Sequence, residues 1–204
     1  MRFGNYSVQI PEGTEKDSGY VGMEHGKQYT IRIGNQCHRQ CDAEVSIDGK
    51  QIGVFRLQGY QTMILERSPE DDGRFTFYSS GTSDAEKAGE ASVSNEEKGL
   101  VKVRFVPEKP RQQPVLRSRG FGQGITTQSM GGGMPAFPGA EMKTSGGITG
   151  LSGSSAQRFV DVGPIDRDEF AAVTITLRLV TANTGPRPLM ASRSVGNAVP
   201  PPVC

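Results

Sequence analysis

The chain contains no tryptophan, and only 7% of its residues are aromatic. Platforms that stack sugars or single-stranded nucleic acid need exposed aromatic faces, and here most of the five Tyr and nine Phe fall on strand-patterned segments. Histidine is nearly absent too, at two residues. His25 lies beside Gly26 and His38 in a turn, so neither is placed to orient a nucleophile as a general base must. No G-x-S-x-G elbow occurs. Gly120-Phe121-Gly122-Gln123-Gly124 departs from the dinucleotide pattern, with no strand before it and no helix after it. No complete catalytic constellation is legible, and the reading is that the chain is not an enzyme and needs no cofactor.

The three cysteines, Cys37, Cys41 and Cys204, make no even disulfide framework, which points to a reducing compartment or a particle assembled in one. No run of 18 apolar residues exists to span a bilayer as a helix. Met1–Ile10 is too polar for the core of a secretory signal. The expected location is therefore the cytoplasm or a particle assembled there. Net charge is only +1, and basic residues are interleaved with acids, so no global field draws the chain to nucleic acid. The charge is nonetheless uneven. Residues 1–110 hold 14 basic and 17 acidic groups, net −3, and residues 111–204 hold 9 and 5, net +4.

What is abundant is glycine, 27 residues, and proline, 13. Eleven of the glycines lie between Gly120 and Gly153. Outside that tract the main signal is alternation with period two. Tyr29, Ile31 and Ile33 share one face, as do Ala43, Val45 and Ile47. Asp48-Gly49 is the signature of a two-residue hairpin loop with both central residues at positive φ. Phe55 and Leu57 are the core residues of the next strand, and Gly53 is the place for a bulge. Further strands are expected at Phe3–Ile10, Tyr20–Met23, Tyr60–Glu66, Phe75–Phe77, Val101–Phe105, Phe159–Val162 and Phe170–Val180. Residues 80–98 read as an exposed loop or a frayed helical turn. Eight or nine strands and no convincing helix give an all-β class. The expected form is an antiparallel β-sandwich, jelly-roll-like, in one domain over residues 1–183, with a long Gly/Pro-rich insertion at about 107–157 and an extended tail over 184–204.

The insertion is not a plain solvated linker, because Phe121, Met130, Met134, Phe137 and Met142 set large apolar groups on a glycine backbone. These residues, with Arg187 and Arg193 of the proline-rich tail, are the expected partner contacts. Cys37-His38-Arg39-Gln40-Cys41 is a weak metal candidate. Zinc takes four ligands, usually as separated pairs, and free thiols or a local disulfide across a turn explain the motif as well. The acidic turn Glu70-Asp71-Asp72 suits calcium chemistry but lacks a recognised loop spacing.

The strand blocks Tyr29–Ile33, Ala43–Ile47, Phe55–Leu57, Phe75–Phe77, Val101–Phe105 and Val173–Leu179, with arms at Gly120–Gly153 and Thr184–Cys204, resemble the jelly-roll and sandwich proteins of viral capsids. That resemblance implies a minor capsid, penton or decoration subunit whose arms reach neighbouring protein subunits in a homo- or hetero-oligomer. The alternative is a ligand- or carbohydrate-binding module, with calcium in the acidic turns.

Overall fold

A computed structural model describes residues 1–110 and 146–182 of the chain. Its organising unit is a row of three long strands whose apolar side chains line up across the sheet. Cys41–Ile47 (β7), Leu100–Pro107 (β11) and Val173–Thr181 (β13) pair antiparallel. The register stacks Ile47, Val101 and Leu177 in one row and Val45, Val103 and Ile175 in the next. Ala43, Phe105 and Val173 make the third. Because side chains alternate faces along a strand, the intervening rows turn outward and are polar: Ser46, Lys102 and Thr176, then Glu44, Arg104 and Thr174. β-branched residues fill most of the inward rows, in keeping with their fit to a pleated surface.

Thirteen strands occur among the described residues. In chain order the others are Arg2–Phe3 (β1), Tyr6–Gln9 (β2), Thr14–Glu15 (β3), Tyr20–Met23 (β4), Lys27–Gln28 (β5), Ile31–Asn35 (β6), Lys50–Leu57 (β8), Thr62–Leu65 (β9), Arg74–Ser79 (β10) and Gly147–Ser152 (β12). Three sheets result, with orders β3-β4-β13-β11-β7-β8, β1-β2-β6-β9 and β12-β10-β5. All pairs are antiparallel except β13 with β4, which run parallel. The chain is thus all-β, and the expectation of a purely antiparallel arrangement is corrected at that one pair. The strand total exceeds eight or nine because one patterned segment splits and because β3, β5 and β12 carry no strand pattern in the sequence. Gly4 at φ +56 turns Phe3–Ile10 into the β1–β2 hairpin.

One buried cluster draws on all three sheets. Tyr6 stacks on Phe105 at 4.7 Å between ring centroids, and Tyr29 on Phe75 at 5.8 Å. A fully buried side chain of this size contributes about 1.5–3 kcal/mol, so the aromatic pairs are main contributors to the core. The Asp48-Gly49 loop has φ of 51° and 76°, as a type I′ turn requires. The register slips between Val45 and Ser46, leaving Ile52 without a partner beside Gly53. That is the expected bulge.

Three expectations are corrected. Gly147–Ser152, inside the range assigned to the insertion, is a full six-residue strand paired with β10, and its Ile148 is buried. Phe159–Val162 is not a strand but part of an extended segment, 153–168. Phe170 lies in a short 3-10 turn before β13. The expected helical turn is present as Ser83–Lys87 (α1), capped by the Thr82 hydroxyl, which accepts from the Ala85 N–H at 3.2 Å.

Candidate functional site: an acidic groove beside the edge strand

The expected partner contacts Phe121, Met130, Met134, Phe137, Met142, Arg187 and Arg193 all lie outside the described residues. The other sequence candidates can be placed. The Cys37–Cys41 turn is organised by a side-chain amide. Asn35, fully buried, donates through Nδ2 to the carbonyls of Arg39 (2.7 Å) and Gln58 (3.0 Å), and its Oδ1 accepts from the Cys37 N–H (2.9 Å). Both cysteines are free thiols. Cys41 is buried in the core, and burial pushes its thiol up to about 12, with nearby Asp42 and Cys37 adding to the rise. A zinc ligand must be a thiolate, so Cys41 is a poor one. Cys37 is half-buried, with Sγ 3.9 Å from Nδ1 of the exposed His38. Cys37, His38 and Cys41 form no metal-holding cluster, and none of three or more ligand residues occurs among the described residues.

His25 accepts the Ser79 N–H at Nδ1 (3.1 Å) while Nε2 faces Asp84 at 3.6 Å. The imidazole therefore ties strand β10 to α1. In the acidic turn, Asp71 accepts the Gly73 N–H at 2.8 Å, and Asp72 lies 3.5 Å from Arg67.

The groups that sequence reasoning missed are buried or partly buried carboxylates. Asp48 leaves the hairpin loop and accepts the backbone N–H of Gly99 (2.6 Å) and of Thr149 (2.7 Å). One carboxylate thereby joins the β7–β8 loop to the start of β11 and to β12. Burial raises it to about 6, against those hydrogen bonds, which act to lower it. Thr149 in turn hydrogen-bonds the hydroxyl of Tyr29 at 2.7 Å, and burial drives that phenol well above its ordinary value. Glu90 accepts the Gly81 N–H at 2.9 Å and pairs with Lys98 at 3.3 Å. On the outer face of the six-stranded sheet, Glu44 accepts from Arg104 (3.0 Å) and from Arg167, while Glu169 meets both of those arginines. Burial acts to raise Glu44, but the two guanidinium groups outweigh it and hold it below the usual carboxylate range.

A groove of 940 Å³ opens beside this framework. Its walls are the β7–β8 loop, strand β12, the loop before β10, and α1 with the residues that follow it. Strand β12 is the last of its sheet. Ile52, Tyr78, Val93 and Leu151 give the groove apolar surface. Five carboxylates line it, from Asp48, Glu70, Asp71, Asp84 and Glu97, against two ammonium groups, Lys50 and Lys87. The groove is therefore net acidic, and its walls favour a cationic occupant with apolar groups.

Elsewhere, the extended segment 153–168 straps the sheet edges together. Gln157 accepts the Glu66 N–H (2.9 Å) and donates to the Ile64 carbonyl (2.6 Å), closing the free edge of β9. Phe159 lies against Phe55 at 5.5 Å and under the Arg67 guanidinium at 5.1 Å. Further along, the strap turns apolar side chains outward: Val160 is 84% exposed, Val162 57%, and Phe170 fully exposed. Comparison with known proteins returns no matching family model, no similar curated sequence and no similar solved structure.

Proposed function

We propose that the chain is a non-enzymatic structural subunit of a larger protein assembly, most consistent with a virion component such as a minor capsid, penton or decoration protein. In this reading the three sheets form a jelly-roll-like β-sandwich that serves as a rigid body. The apolar Gly-rich tract and the Pro-rich tail serve as its contacts with neighbouring subunits, in a virion or in the cytoplasm where it assembles. Neither nucleic acid nor a membrane span enters the account, and no described helix is long and apolar enough to cross a membrane.

The observation that carries the reading is a set of exposed apolar side chains, Val160 and Val162 on the strap, Phe170 in the turn before β13, and Phe3 and Tyr60 elsewhere on the surface. A lone exposed apolar residue needs no explanation; several large ones on the surface of one chain suit a subunit that meets protein. A second observation supports it. The polar groups that could serve chemistry are engaged in structure: Asp48, Glu90, Asn35 and His25 each hold backbone groups.

The test is association of the full chain in sedimentation velocity. Replacing Phe121, Met130, Met134, Phe137 and Met142 together by serine should abolish association and leave the far-ultraviolet circular dichroism unchanged. Unchanged association rules the tract out as the contact. The ligand- or carbohydrate-binding alternative draws on the acidic groove. A rise in melting temperature with calcium or with a sugar panel favours it, since a ligand stabilises the state it binds.

A further inference from the structure

We propose that the acidic groove beside β12 is the receptor for the chain's own segment 183–204, taken up as an extended peptide. The proposal rests on the assembly reading for one point only, that the donor is a neighbouring copy.

Position supports it first. The segment continues from β13, whose end meets the residue that precedes β12, one wall of the groove. Val180 bridges to Gly146, the Thr181 hydroxyl meets the Ser79 hydroxyl at 3.1 Å, and the Ala182 N–H bonds the Met23 carbonyl. Gly146 immediately precedes β12, which forms one wall. The segment thus leaves the sheet at the Gly146 end of the strand that walls the groove, and only assembly would bring a neighbouring copy's groove within its reach.

Charge supports it second. Five carboxylates face two ammonium groups across the groove. Segment 183–204 carries Arg187 and Arg193 and no acid. Complementary charge steers such a segment in and fixes its register.

Shape and apolar content support it third. Between the two arginines the segment carries Leu189 and Met190, matching the groove's Ile52, Tyr78 and Leu151. Pro186, Pro188 and Pro200–Pro202 bias the segment toward extended backbone. A terminal strand such as β12 is where extended peptides add to a sheet. At Thr149 the strand's outward N–H is already taken by Asp48, so the peptide lies along the wall beyond that point, toward Leu151.

The experiment uses the full chain with Leu189→p-benzoylphenylalanine, prepared as an equal mixture of ¹⁴N- and ¹⁵N-labelled protein and irradiated. Cross-linked peptides are mapped by mass spectrometry. The expected result is cross-linking to residues 148–151 and to the Glu70 loop. The yield should drop at least fivefold in the Glu70→Lys/Glu97→Lys variant, whose lining carries three carboxylates and four ammonium groups. Both residues are exposed, and an unchanged melting temperature verifies that the variant is folded. Cross-links elsewhere, no cross-links, or a yield indifferent to the charge reversal overturn the proposal. Mixed-isotope pairs place the donor on a neighbouring copy. Pairs of one isotope alone leave the groove as receptor and instead overturn exchange of tails between subunits.

Discussion

At the scale of single residues, Asp48 is the point on which three elements converge. Asp48→Ala leaves the N–H groups of Gly99 and Thr149 without their acceptor, at about 1–3 kcal/mol for each buried donor. Urea unfolding should register that loss. The carboxyl also makes stability depend on pH. Its folded value, about 6, is above the ordinary 3.8, so between these values the folded state holds a proton that the unfolded chain has released. Stability from this group is full below about pH 4 and is lost as pH rises through 6. Asp48→Asn removes the dependence, so the stability of the native chain relative to Asp48→Asn should decline between pH 4 and 7. A flat difference over that range contradicts the assignment. Glu44 has the opposite sign. Its arginine partners depress it, so its contribution is present above its unfolded value and disappears as pH falls through the lower folded one. Glu44→Gln should cost about 1 kcal/mol at pH 7, and the cost should shrink in acid. In the core, Phe105→Ala removes the ring stacked on Tyr6 and should cost about 3–5 kcal/mol, seen as a lower midpoint in urea with the same slope.

At the scale of elements, the return from insertion to body falls earlier in the sequence than the glycine content suggests, at Gly147. Deletion of 112–144, replaced by a Gly-Ser linker of equal length, should leave the cooperative melt in place. Extending the deletion to 152 removes β12, with its six pairings to β10 and the Asp48 bond to Thr149, and should broaden the melt or abolish it. What the sequence showed here follows from physics. Strands with one wet face, such as Ala43–Ile47 and Val101–Phe105, alternate visibly, and the Asp48-Gly49 loop is set by local backbone sterics. β12 was hidden because Gly147, Thr149 and Gly150 carry no apolar pattern. Gly147 is required by close packing, since a Cβ there would lie 2.1 Å from the Phe77 ring. Phe159, Val160 and Val162 carry a strand-like pattern in the sequence, but only Phe159 packs inward, while Val160 and Val162 face outward. The groove was not legible at all. Its five carboxylates come from four separate stretches of chain, and no local window contains them together.

At the scale of the whole molecule, residues 1–110 carry net −3 and residues 111–204 net +4, so in the proposed assembly oppositely charged stretches of neighbouring copies would attract. Association driven partly by these charges should weaken as salt rises from 50 to 500 mM, because screening shortens their reach to a few ångströms. Association driven by apolar contact alone should hold or strengthen. The central claim, that this is a subunit built to be covered by its neighbours, is tested most directly by the mass distribution of the full-length chain in sedimentation velocity over a hundredfold range of concentration. The account predicts assemblies of several copies that grow with concentration and vanish when the five apolar residues between Phe121 and Met142 become serine. A single-chain mass at every concentration, in the native chain and the variant alike, contradicts it.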